Sequence, residues 1–136
     1  MDLAIEHDMK AFFNQPLFNE DQDSVLEMMK HPHSVVTFSD SGAHVSQIMD
    51  SSLQTHVFAY WMRERGAVTL EEAVNMLTFV PASHWGLRGR GLIREGYIAD
   101  LNLFDPASVA PRMPHVAYDL PAGARRLVQK ANGFAA

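Results

Sequence analysis

No cysteine occurs among the 136 residues. Neither a disulfide nor a thiolate metal site is therefore available, and a cytoplasmic setting is the easier expectation. Nor does any apolar run approach the ~18 residues a membrane-spanning helix needs. The opening stretch, MDLAIEHDMKAFF, carries acids where a secretory leader would carry a basic and then an apolar segment. Basic excess is missing too, since 11 Lys and Arg face 16 Asp and Glu for a formal net charge of −5. That balance speaks against a nucleic-acid or anionic-membrane binder, because either role needs a positive surface to meet phosphates. Internal repeats and low-complexity tracts are likewise absent, and the length fits one domain.

Apolar residues make up 47% of the chain, enough for a core at this size. Residues 3–10 read as the tail of a helix. Residues 11–18 are apolar and strand-like, with Pro16 ending or bending the run. A short helix is expected from Asp23 or Ser24, with Val25, Leu26, Met28 and Met29 at helical spacing and a stop near His31-Pro32. Residues 34–39 (SVVTFS) are uncharged, β-branched and aromatic, the composition of a strand buried on both faces of a parallel sheet. Asp40 then lies just past that strand's carboxyl end.

Residues 53–65 (LQTHVFAYWMRER) predict a helix with a broad apolar surface, stopped by Gly66. Phe58, Tyr60 and Trp61 are expected as core. Thr69-Leu-Glu-Glu72 spells a capping box, in which each end's side chain satisfies the other's backbone amide, and it opens a helix to about Thr78. Beyond Pro81 the glycine-punctuated RGRGLIREGYIADLNLFDP predicts turns and antiparallel strands, with an alternating apolar run from Ile98 to Phe104. Nothing firm is legible beyond Pro121. The whole reads as α/β with an appended β segment.

Two stretches together carry a resemblance. SVVTFSDSGAHV (34–45) and TLEEAVNMLTFVPASHWGLRGRGLIREGYIADLNLFDPASV (69–109) resemble the amidohydrolase superfamily, and more narrowly its D-aminoacylase and N-acyl-D-amino-acid deacylase-like branch. The Gly91-x4-Gly96-Tyr97-x-Ala99-Asp100-Leu101 pattern after a capped helix is the more specific part. The resemblance implies the C-terminal portion of a (β/α)8 barrel, its last two strands and helices, in residues 1–88, followed by an incomplete β-sandwich segment in 89–136. It also implies a zinc-dependent hydrolase of the amide bond in N-acyl-D-amino acids or similar small acyl amides. A complete barrel needs ~250 residues, so both ends read as truncations, and most metal ligands would lie upstream.

Asp40 matches the aspartate that follows the last barrel strand in this superfamily. There it serves beside a metal ion as ligand and as the base that takes a proton from metal-bound water and passes it to the leaving nitrogen. From spacing alone, Asp40 before Ser-Gly equally suits a turn or helix cap. His44 in the same loop is a candidate substrate contact, or a loop histidine with no such role. His31 and His33 imitate a His-x-His metal motif but belong at the strand's opposite end. His56 and His84 fall in or after helices, where a partly buried histidine with a backbone partner is the default. Asp100 is expected to order a turn. A lone aspartate cannot hold zinc, which takes three or four protein ligands, so the isolated chain is expected to be inactive. The alternative is a non-catalytic module that associates with itself or with a partner through apolar helix faces and strand edges.

Overall fold

The computed structural model describes residues 2–8, 10–13, 15–44 and 52–135. The chain divides into two units, Met1–Ser34 and Val35–Ala136. The first holds α1 (Asp2–Glu6) and α2 (Gln22–Lys30). The α2 N-cap is Asp21, two to three residues earlier than expected, and its side chain accepts the Asp23 amide at 3.2 Å. His31 ends the helix by donating its N–H to the Met28 carbonyl, and Pro32 follows. Neither helix buries a residue. The strand-like reading of 11–18 is corrected, because the described residues there form no strand and Phe13 and Phe18 are exposed.

The second unit is built on a helix running from α3 (Leu53–His56) into a π-helical stretch, Val57–Glu64. The wider turn is shown by the Arg65 amide reaching the Tyr60 carbonyl five residues back, at 2.8 Å. At its end Gly66 takes a left-handed φ of +57°, which lets the Ala67 amide return to the Trp61 carbonyl at 2.8 Å. Val57, Phe58, Ala59 and Trp61 point inward, with Trp61 only 3% exposed. Removing the larger of these side chains from water contributes roughly 1.5–3 kcal/mol each, and the Ala59 methyl less. They share the core with Val68, Ala73, Ala82 and Val109.

The capping box forms as expected. Thr69 Oγ1 accepts the Glu72 amide at 3.1 Å and Glu72 Oε2 accepts the Thr69 amide at 2.7 Å. It opens α4 (Leu70–Leu77), after which a further helix, α5 (Phe79–His84), follows at once. The helix expected to end at about Thr78 thus gives way to a second one that contains Pro81 at its third position. Pro81 is tolerated because the first amides of a helix have no intrahelical partner to lose.

Residues 85–135 form turns and two small antiparallel sheets. In one, β1 (Ala110–Pro111) pairs with β4 (Ala131–Asn132); in the other, β2 (His115–Ala117) pairs with β3 (Arg126–Val128). A single turn of 3-10 helix, Pro121–Gly123, joins β2 to β3. The Ile98 to Phe104 run, expected as strand, contributes only a bridge from Phe104 to Phe134. Phe104 joins the β segment to the helix, its ring 4.9 Å from Phe58 and 6.0 Å from Phe134. Arg63 adds a polar tie, donating to the Pro106 and Val109 carbonyls at 3.1 and 3.0 Å.

The main correction concerns residues 34–39. They form no strand, and Phe38 is 76% exposed. A strand buried on both faces needs hydrogen-bonded neighbours on both edges and helices above and below. Among the described residues no strand lies beside it, and no closed barrel is formed, as expected of a chain that would supply only the last two barrel strands.

Candidate functional site

The segment 35–44 is the part of the second unit that carries the candidate residues. It is tied down by two contacts. Gln54 Nε2, on α3, donates a long hydrogen bond of 3.5 Å to the Thr37 carbonyl, and the Phe38 ring lies 6.5 Å from that of Trp85, just after α5. Trp85 was not singled out in the sequence, since an aromatic residue after a helix reads as ordinary packing. His84 stands edge-on to it at 5.4 Å.

The chain then turns. The Ala43 amide donates to the Asp40 backbone carbonyl at 2.9 Å, and Gly42 sits at φ +88° as such a turn requires. The side-chain cap of this turn comes from Ser39, whose Oγ accepts the Ser41 amide at 3.2 Å. The Asp40 side chain therefore does not do the capping that its position before Ser-Gly suggests. It is exposed, and no donor meets its carboxylate among the described residues. His44 closes the turn with a left-handed φ of +53° and is also exposed. That conformation is uncommon for a residue with a side chain, though histidine is among the types enriched in it.

The structure brings Asp40 and His44 together in one exposed turn, and among the described residues no other candidate joins them in it. The His31 and His33 rings lie 5.5 Å apart and tilted in the first unit, where the His33 amide donates to His31 Nδ1 at 3.2 Å. That bond occupies one of the ring nitrogens a metal would use. His56 stacks on Tyr60 at 5.1 Å, and its partial burial pushes its pKa below the ordinary value of 6.5 against the opposing pull of Glu64. Asp100 is ion-paired with Arg90, which agrees with a role in ordering a turn.

The zinc that the resemblance implies does not fit this donor set. Among the described residues no three histidine, aspartate or glutamate side chains converge on a point, and two groups on one turn are too few for a closed or a catalytic zinc site. What the turn offers by itself is an accessible acceptor with an imidazole four residues away.

Comparison with known proteins gives this turn a context. The model of the amidohydrolase family matches residues 5–128. An N-acyl-D-aspartate deacylase from Alcaligenes xylosoxydans xylosoxydans is 34% identical over 108 residues, which cover 79% of this chain and 18% of that protein. A D-aminoacylase from the same organism is 46% identical over 54 residues, covering 40% of this chain and 11% of that protein. The chain thus spans less than a fifth of the length of these relatives. No solved structure matches it. With nearly all of its length under the family model, the chain belongs to the amidohydrolase family, on the D-aminoacylase-like side.

Proposed function

We propose that this chain is a segment of a metal-dependent amidohydrolase that cleaves the amide bond of N-acyl-D-amino acids or similar small acyl amides, and that it is inactive alone. The observation that carries the reading is the family match over residues 5–128 together with the activities named for both relatives. In the proposed arrangement residues 1–88 belong to the last two strands and helices of a (β/α)8 barrel, and 89–136 to an incomplete β-sandwich segment. Asp40 then sits on a loop at the face where such barrels keep their chemistry. A cytoplasmic location is part of the same proposal.

Asp40 is assigned the proton-carrying role. An ionised carboxylate within hydrogen-bond reach of the attacking water takes its proton as the carbonyl is attacked, then returns it to the amide nitrogen as the C–N bond breaks. One group suits both halves because the proton leaves and arrives on the same side of the reacting centre. His44 is assigned to substrate contact, since the turn places it on the same exposed surface. A catalytic ion needs three or so protein ligands; Asp40 would be one, and the others would come from outside the described part of this chain.

A segment swap tests the reading. The aligned stretch of this chain replaces its 108-residue counterpart in the N-acyl-D-aspartate deacylase relative, and release of free D-aspartate from an N-acyl-D-aspartate is followed with zinc supplied. The chimera hydrolyses the substrate, whereas the isolated chain under the same conditions does not. Hydrolysis by the isolated chain, or a soluble chimera of native-like spectrum with no activity, rejects the proposal.

A further inference from the structure

Of the asparagines in the chain only Asn132 is followed by glycine; Gln15, Glu20, Met76 and Leu103 follow the others. Glycine leaves its amide nitrogen unobstructed by a side chain. The Gly133 nitrogen is also unbonded. Its carbonyl accepts the Asp105 amide at 2.8 Å, but its own amide makes no hydrogen bond among the described residues. The Asp105 carbonyl, which could return the bond, accepts the Ser108 and Val109 amides instead, at 3.1 and 2.9 Å.

The Asn132 side chain is exposed, and Arg112 Nε donates a hydrogen bond to its Oδ1. Arg112 is itself held in place, its amide donating to the Lys130 carbonyl at 2.8 Å and its carbonyl accepting Gln129 Nε2 at 2.9 Å. A guanidinium donor on an amide oxygen draws electron density from the amide carbon. It also stabilises that oxygen once an attacking group turns it into an oxyanion. An electrophilic carbon and an unbonded nitrogen thus belong to adjacent residues.

We propose that Asn132–Gly133 is a site of spontaneous covalent modification, a deamidation through a cyclic imide that Arg112 assists. Solvent base takes the Gly133 N–H proton, and the nitrogen attacks Asn132 Cγ, placing the negative charge on Oδ1 beside Arg112. As the charge returns, the bond from Cγ to the side-chain nitrogen breaks, and that nitrogen leaves as ammonia with a proton from water. Water then opens the imide at either carbonyl, giving aspartate or isoaspartate at position 132. The balance is a water consumed and an ammonia released, with nothing oxidised or reduced. Aspartate keeps Arg112 as a partner. Isoaspartate lengthens the main chain by a methylene where it has no slack, since a β-carbon on Gly133 would lie 2.5 Å from the Val109 Cα. The proposal stands apart from the deacylase reading.

The test follows the tryptic peptide 131–136 by mass spectrometry after warming the chain at mildly alkaline pH, with isoaspartate detected by isoaspartyl methyltransferase labelling. The unsubstituted chain and Arg112→Gln are compared, each in buffer and in denaturing urea. In buffer Asn132 of the unsubstituted chain converts to both products, faster than any other asparagine. It also converts about tenfold faster than in Arg112→Gln, the effect of one charge-assisted hydrogen bond. In urea the two proteins convert at one rate, below that of the unsubstituted chain in buffer. This last comparison needs no variant, so it holds even if Arg112→Gln does not fold. An Asn132 that keeps its amide in buffer, or converts there no faster than in urea, overturns the proposal. So does a folded Arg112→Gln that converts as fast as the unsubstituted chain.

Discussion

Gly91 and Gly96 hold corresponding places in the glycine-punctuated stretch, yet they differ in what surrounds them. Both have positive φ, +83° and +79°. A β-carbon on Gly91 would lie 2.8 Å from the Ala82 β-carbon, 2.9 Å from the Phe79 Cα and 2.9 Å from the Thr78 carbonyl oxygen, whereas one on Gly96 meets nothing within 4 Å. Gly91 is therefore the point at which the returning chain presses on α5. Gly96→Ala is expected to cost about 1–2 kcal/mol from backbone strain alone. Gly91→Ala is expected to cost clearly more, because backbone atoms cannot step aside as a flexible side chain does. Urea unfolding of the two variants checks the difference.

His56 makes a pH-dependent contribution at the same scale. Burial holds its folded-state pKa below 6.5, so as pH falls below 6.5 the unfolded chain takes up a proton that the folded chain still refuses. Stability present above 6.5 is therefore lost progressively toward the lower folded value. Asp105 and Asp119 are also depressed, by hydrogen bonds from Ser108 and the Ala107 amide and from Arg126 respectively. Their contributions are lost only as pH falls below 3.8, well under the histidine's range. His56→Phe keeps an aromatic ring against Tyr60 and cannot titrate. The urea midpoint of the parent should drop between about pH 7.5 and about pH 5.5 by more than that of His56→Phe.

Among the elements, α4 is held at its start by the reciprocal Thr69–Glu72 cap. Thr69→Ala removes the acceptor for the Glu72 amide and is expected to cost about 1 kcal/mol, read as a lower melting temperature with an unchanged folded spectrum. This helix was legible because the signal is local: the cap, the first turn and the apolar spacing all lie within ten residues. The aromatic helix was legible for the same reason, although its change to π-helical turns after His56 was not, since that widening has no residue code of its own. Residues 34–39 show the opposite case. Their β-branched and aromatic composition gives a strand propensity, but a strand is made by its neighbours, and the described residues supply none. The strands β1 to β4 went unseen because two- and three-residue pairings are fixed by what lies across from them, such as Ala110 with Asn132.

Across the whole molecule, one core organises the second unit, from the aromatic helix through α4 and α5 to Val109, while the candidate residues sit on an exposed turn outside it. Family membership was readable from the deacylase-like stretches, and the match over residues 5–128 bears it out. For a site the sequence offered only the candidates Asp40 and His44, because an active site in a barrel is assembled from several strand ends and this chain covers 18% of the deacylase relative. Asp40 carries the proposed chemistry. In the chimera of this chain with the N-acyl-D-aspartate deacylase, the steady-state constants of Asp40→Asn are to be compared with those of the unsubstituted form. Loss of a proton carrier predicts a kcat lower by about 10²–10⁴ with KM little changed. A kcat left as it was would contradict the role given to this carboxylate.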